Sequence, residues 1–382
     1  MAHPPGTVRD AILHFLGDLE RDATAPEIVA AVEAKLGSVS ASSVRSYLRL
    51  NTGTLFERPA RGRYRLSGVR ERPTEYTAAP PAFTHKQASL YRADCFDWLA
   101  EREPDSIHSV VTDPPYGVME YSEKEIAKLR SGKGGVWRIP PSFDGHRRSP
   151  APRFTVLGGD DLQALHVFFR RLGALLRRVV VPGGNVVLAS NPLLAHIVAS
   201  SMIESGLEMR GYIARLTMTM RGGDRPKNAH EEFPLVSVMP RSQWEPWVVL
   251  RRPLEGRVQD NLRKWRTGGF QRPSADLPFG DVIPSSPTTK SERAIAPHPS
   301  LKPQTFLRKI VRASLPLGEG VVLDPFAGSG STLAAANALG YASIGVESDP
   351  KFIEMALGAI PQLGSLGQID PVLPERGALL RE

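Results

Sequence analysis

Cysteine is almost absent from this chain of 382 residues: Cys95 stands alone, which excludes an internal disulfide and any cysteine-cluster metal site. The nine histidines show no metal-ligand spacing. No run approaches the ~20 apolar residues of a membrane span. The start, Met1-Ala2-His3-Pro4-Pro5, lacks the charged and apolar regions of a secretory signal. No internal repeat is visible. Together these absences point to a protein of a reducing cytoplasm. What is present suits a globular fold, with 41% hydrophobic and 23% charged residues. At roughly 100–200 residues per domain, the length predicts two or three domains. The 48 Lys+Arg against 40 Asp+Glu leave a net charge of +8, so where the basic residues lie matters more than their sum.

Composition divides the chain into a helix-rich region 1–68, a proline-rich linker 69–86 and, from about residue 87, buried strands alternating with helices. In the first region, Val8 to Leu16 carries apolar residues at helical spacing. A second helix opens with the capping box Thr24-Ala25-Pro26-Glu27 and stops at Gly37. A third begins near Ser40, with Val44 and Leu48 inward and Ser42, Ser43, Arg45, Ser46 and Arg49 outward. Leu55 to Arg58, a turn at Ala60-Arg61-Gly62 and Arg63 to Leu66 then predict a short basic hairpin. Three helices followed by such a hairpin resemble a winged helix-turn-helix, whose third helix enters the major groove while the wing touches phosphates. That resemblance implies DNA contacts at Arg45, Arg49 and Arg63; a small helical domain for protein contacts fits the same pattern.

Two motifs carry chemistry. In Ser109-Val110-Val111-Thr112-Asp113-Pro114-Pro115-Tyr116-Gly117, an apolar strand ends at an acid, two prolines and an aromatic. Proline lacks a donor and fixes φ, so the chain leaves the sheet stiffly, with the Asp113 side chain and the Pro114 carbonyl available as acceptors. Two acceptors beside an aromatic ring suit an exocyclic amine on a stacked base. In Val321-Val322-Leu323-Asp324-Pro325-Phe326-Ala327-Gly328-Ser329-Gly330-Ser331-Thr332, a buried strand passes through a glycine-rich turn into a helix. The next strand, Ala342 to Glu347, ends in an acid 17 positions after Gly330, an arrangement in which a carboxylate accepts from ribose hydroxyls.

Asp113-Pro114-Pro115-Tyr116 together with Phe326-Ala327-Gly328-Ser329-Gly330 resembles the amino-group DNA methyltransferases that use S-adenosylmethionine. The catalytic motif comes first, which is similar to the β class, where target recognition lies between the two motifs. Pro182-Gly183-Gly184-Asn185 resembles a central turn of the methyltransferase sheet, and His298-Pro299-Ser300-Leu301-Lys302-Pro303 resembles the family's His-Pro-x-x-Lys-Pro segment. The resemblance implies an α/β, doubly wound Rossmann-like sheet with its site at the carboxyl ends of the strands. It implies that Asp113 and Pro114 hold the target amine, with Pro115 shaping the turn and Tyr116 stacking on the flipped base. Asp324, Phe326, Gly328 and Gly330 would form the methionine end of the cofactor site, Glu347 the ribose end and Asp94 the adenine end. Lys302 joins this set, although a surface lysine at a helix start reads the same way.

The resemblance also implies duplex DNA as partner, hence a place at the nucleoid, and leaves a homodimer and a cognate restriction endonuclease open. It divides the larger region into a catalytic half 87–209, a basic target-recognition insert 210–297, a cofactor-binding half 298–365 and a tail 366–382. Residues 210–312 hold 19 Lys+Arg and 9 Asp+Glu, with Trp244, Trp247 and Trp265 interleaved, and proline and glycine predict much loop. Arg251, Arg252, Arg263, Lys264 and Arg266 are therefore expected to meet DNA. Residues 124–153 form a second basic loop, either a lid over the flipped nucleotide or a segment without function. In this family Asp at the first motif position favours adenine N6, and cytosine N4 is the alternative. A DNA-binding regulator that only senses cofactor, and RNA as substrate, are the remaining readings.

Overall fold

The computed structural model describes residues 7–17, 19, 21–37, 39–52, 55–66, 80–115, 158–217, 225–226, 228–298 and 300–367. In the first region lie α1 (Thr7–Gly17), β1 (Ala23–Thr24), α2 (Ala25–Leu36), α3 (Ala41–Leu50), β2 (Phe56–Ala60) and β3 (Arg63–Leu66). The capping box forms as the sequence predicts: Thr24 N–H donates to Glu27 Oε2 at 2.7 Å and Glu27 N–H to Thr24 Oγ1 at 3.4 Å. Val44 and Leu48 are fully buried in a core with Ile12, Leu16, Ile28, Val32 and Phe56, which leaves Arg45 and Arg49 exposed on the opposite face of α3. The three strands form an antiparallel sheet in the order β1-β3-β2.

The larger region holds one nine-stranded sheet. Its strands are β4 (Phe83–His85), β5 (Ala88–Arg92), β6 (Ile107–Thr112), β7 (Val180–Ala189), β8 (Glu208–Leu216), β9 (Trp244–Arg251), β10 (Val282–Pro284), β11 (Val321–Asp324) and β12 (Ala342–Glu347). They lie side by side as β10-β8-β9-β7-β6-β11-β12-β5-β4, with the central run β7-β6-β11-β12-β5 all parallel. Strand β9 is antiparallel to both of its neighbours.

Successive side chains on these strands point to opposite faces, and each face is covered. Val110, Val186, Leu188, Val248 and Leu250 pack against α4 (Cys95–Glu101), α5 (Gly159–Val179) and α6 (Ala195–Glu204). Their neighbours Val111, Val187, Trp247, Val249 and Val322 pack against α9 (Gln304–Ser314) and α10 (Ser331–Leu339) on the other side. Near β5 that second face is closed by α11 (Pro350–Ser365) through Ile353, Ala356 and Ile360. The sheet is thus doubly wound, as the apolar strands flanked by helical patterns imply.

Much of the described part of residues 210–297 is loop, as its glycines and prolines predict, but β8, β9, α7 (Val258–Trp265), β10 and α8 (Lys290–Ile295) lie within it, and β8 and β9 bury apolar faces in the sheet. The glycines and prolines between these elements mask short strands whose apolar residues belong to two different cores.

The ends of β6 and β11 decide where a site can form. From β6 the chain runs by way of α5 to β7 on one side, and from β11 by way of α10 to β12 on the other. The connections diverge at the carboxyl ends and leave a crevice between them. Leu172, fully buried in α5, belongs to the core beneath it. Leu172→Ala should cost about 2–5 kcal/mol in guanidinium unfolding, with the denaturant slope unchanged.

Candidate active site

The crevice is a cleft of about 340 Å³ lined by Asp94, Asp113, Pro114, Pro115, Lys302, Asp324, Phe326, Gly328 and Glu347, among others. Residues predicted from motifs some 200 positions apart therefore share one cavity. Tyr116 and the loop 124–153 lie outside the described residues.

The two strand tips are tied directly. Thr112 Oγ1 donates to Asp324 Oδ1 at 2.7 Å in a fully buried hydrogen bond, and Asp324 Oδ1 also accepts from Phe326 N–H at 3.1 Å. This carboxyl both closes the turn after β11 and links it to β6. Burial pushes Asp324 up to about 6, against hydrogen bonds from Thr112, Thr332 and Phe326 that favour its ionised form. The turn itself needs glycine. Gly328 has φ +50°, and a Cβ there would sit 3.1 Å from His298 Nε2. Gly330 has φ +78° at the amino end of α10, where a Cβ would lie 2.4 Å from the Ile360 side chain. Gly330 therefore shapes the turn from behind and is not among the cleft residues.

Glu347 reaches back into this turn. Its Oε2 accepts from Gly328 N–H at 2.9 Å, and its Oε1 from Ser348 and Asp349 N–H, both at 2.8 Å. Asp94 spends Oδ1 on the amino end of α4, accepting from Phe96 N–H at 2.8 Å and Asp97 N–H at 3.2 Å. Phe326 packs on Phe168 of α5 with ring centroids 6.0 Å apart. Cys95 also lines the cleft, but burial, with Asp94 beside it, pushes the thiol up and disfavours the nucleophilic thiolate.

Lys302 is not a surface lysine. It is 8% exposed, its ammonium forms a short ion pair with Asp113 Oδ2, and Glu245 Oε1 lies 3.5 Å away. The structure thus joins it to the carboxylate that follows β6 rather than to the glycine-rich turn. Glu245 and His298 are the site residues that sequence reasoning missed. Glu245 sits in a stretch read as DNA-facing, and nothing in one sequence pairs it with Lys302. His298 was visible in the His-Pro-x-x-Lys-Pro segment but received no role; its ring packs edge-on to Phe352 at 4.4 Å, and burial lowers its pKa.

Most of the basic residues expected to meet DNA do not line the cleft. Because β9 runs antiparallel, its carboxyl end lies at the amino-terminal edge of the parallel strands, where Arg251 stands opposite Asn185 and Glu208. Arg251 Nη2 donates to Glu208 Oε2 at 2.6 Å, and Arg252 pairs with Asp105 just before β6. Around α7, Arg263 pairs with Asp260, Lys264 with Glu255 and Arg266 with Glu319. At ~3.3 Å per strand residue, that edge lies roughly 17 Å or more from the cleft. Trp247 is likewise core, edge-on to Phe306 at 5.2 Å. In the first region, Arg63 is tied to the buried Asp22 and joins β3 to the start of α2, whereas Arg45 and Arg49 are exposed.

Residues 107–358 match the DNA methylase family of N6/N4 methyltransferases. The chain belongs to that family. Among its relatives is the type II methyltransferase M2.LlaDCHI of Lactococcus lactis subsp. cremoris, 27% identical over 72% of this chain and 90% of the relative. The DNA adenine methyltransferase YhdJ of Escherichia coli (strain K12) is 47% identical over 60 residues, 16% of this methylase and 20% of that protein. Among solved structures, the PvuII DNA methyltransferase (cytosine-N4-specific) is similar with a TM-score of 0.48 and 15% identity, over 76% of this chain and 90% of that one.

Two outcomes test this geometry. Asp324 is held above the ordinary carboxylate range, so its protonated form favours the fold; that stability is present near pH 4 and is lost as pH rises through about 6. Asp324→Asn should flatten the fall in melting temperature between pH 4 and 7, which differential scanning fluorimetry reads. The double charge reversal Arg263→Glu/Lys264→Glu, on the edge away from the cleft, should change the Kd for a DNA duplex less than threefold by fluorescence anisotropy.

Proposed function

We propose that this methylase transfers a methyl group from S-adenosylmethionine to the exocyclic N6 of adenine in duplex DNA, with the target base flipped into the cleft. The observation that carries the reading is the junction of Asp113 and Pro114, at the tip of β6, with the glycine-rich turn, at the tip of β11, through the Thr112–Asp324 bond.

The residues present fit the cofactor. The cleft has room for a nucleoside, its turn brings backbone close to a ligand, and carboxylates stand at three points around it: Asp94, Asp324 and Glu347. Asp324 would face the cofactor's ammonium, Glu347 its ribose and Asp94 its adenine. Bound there, S-adenosylmethionine supplies an electrophilic sulfonium methyl. Phe326 and Phe168 give one side of the cleft an apolar surface. Asp113 accepts one hydrogen bond from the target amine and the Pro114 carbonyl the other. An exocyclic amine is a poor nucleophile because its lone pair is delocalised into the ring. Holding both protons aside favours a pyramidal nitrogen aimed at the methyl group. Tyr116 would stack on the base.

Adenine is favoured over cytosine by the Asp at position 113, which the family uses more for adenine, and by the adenine-specific relative. The first region supports duplex DNA as the substrate. Its element order matches a winged helix-turn-helix, and Ser42, Ser43, Arg45 and Arg49 form an exposed hydroxylic and basic face on α3.

Asp113→Ala should lower methyl transfer to DNA at least 1000-fold in a tritiated-methyl assay while S-adenosylmethionine still binds in calorimetry. Near-normal turnover would refute the reading. Modification mapping in a host expressing the gene identifies the base, with N4-methylcytosine the outcome that reassigns it.

A further inference from the structure

Asp113 carries a difficulty for the reaction just described. An oxygen that must accept from the target amine is already held by the Lys302 ammonium. Both side chains are largely enclosed, at 17% and 9% exposure. A buried ammonium pushed off a carboxylate with nothing to replace it would be left uncompensated, which is strongly unfavourable. Lys302 has a second carboxylate. Glu245 Oε1 faces it at 3.5 Å, beyond a tight hydrogen bond and about 1 Å from one.

Glu245 is held from its other side. Its Oε2 accepts from Arg215 Nη1 at 2.9 Å and from Trp247 Nε1 at 3.1 Å, and Arg215 Nε donates to Ser285 Oγ at 2.9 Å. The Arg215 guanidinium also lies 4.9 Å above the Phe306 ring. These contacts anchor one oxygen and direct the other at Lys302. Burial opposes the charge on both members of the pair, yet they stay ionised. Asp113 and Glu245 hold Lys302 above the ordinary lysine value, and Lys302 and Arg215 hold Glu245 below the ordinary carboxylate value.

We propose that Lys302 and Glu245 form a counter-ion relay: Lys302 rests on Asp113 until the target amine arrives, then moves to Glu245 Oε1 as the amine takes its place. Arg215 and Trp247 keep the receiving carboxylate fixed. Lys302 and Glu245 are positioning residues that act through Asp113. The relay orients Asp113 in the empty enzyme and gives the displaced ammonium a partner at the moment of base entry. It rests on the reading of Asp113 as the amine acceptor.

The test compares wild type, Lys302→Met, Glu245→Gln and the double variant, each as full chain, by single-turnover methyl transfer to a DNA duplex and by S-adenosylmethionine Kd. The relay predicts that Glu245→Gln slows transfer at least tenfold with cofactor Kd within twofold. In the Lys302→Met background the same substitution should cost less than twofold, because no ammonium needs receiving. An equal cost in both backgrounds makes Glu245 a strut for Arg215 and overturns the relay. A cofactor Kd that weakens in step with transfer assigns Lys302 to the cofactor and overturns it too. Should Lys302→Met lose its cooperative unfolding transition, wild-type transfer by Glu245→Gln is by itself enough to overturn the relay. Absence of transfer by wild type would overturn the reading of Asp113, and the relay with it; transfer by wild type without the predicted non-additivity overturns the relay alone.

Discussion

Thr112 and Asp324 end two neighbouring parallel strands, and the buried hydrogen bond between them joins segments more than two hundred residues apart. The rest of the site follows from that contact. It holds the stiff Asp113-Pro114-Pro115 exit against the glycine-rich turn, and it fixes one oxygen of the carboxyl that also closes the turn at Phe326. Parallel strands whose onward connections diverge leave a crevice at this point of the sheet. The chemistry is located where the backbone topology has already made room for it.

Charge is distributed around the crevice in two ways. Asp94 and Glu347 spend oxygens on backbone N–H groups, so their carboxylates are held in place by the ends of helices and turns. Asp113, Lys302, Glu245 and Arg215 instead form an alternating chain of opposite charges that crosses from the end of β6 to β8 and β9. Each member is compensated by the next, which lets four ionised groups sit in a largely enclosed place. Alternation also makes the chain responsive, because moving one partner leaves its neighbour to be satisfied elsewhere.

Much of the architecture was legible beforehand because it depends on local rules. The capping box at Thr24 and the inward Val44 and Leu48 are read from spacing alone. So are the apolar strands ending at Asp113, Asp324 and Glu347. Where the basic residues of 241–266 lie was not legible beforehand, for a reason equally physical. Their composition suggests a phosphate-binding face, but strand direction carries Arg251 and Arg252 to the opposite edge of the sheet. Once there, they are spent on Glu208 and Asp105.

The amino-acid order alone determined the motifs and the alternation of strands and helices, since each depends on neighbours a few positions away, whereas the crowding that bars a side chain at 328 and 330 comes from His298 and Ile360, thirty positions off. Which acid meets which base was left to tertiary structure. Pairing Lys302 with Asp113 and Glu245 requires three segments to converge after the sheet has closed, and an antiparallel β9 between parallel partners decides which of its ends faces the cleft. Side-chain chemistry is written residue by residue, whereas proximity between distant residues is a property of strand order and direction, which no local pattern encodes.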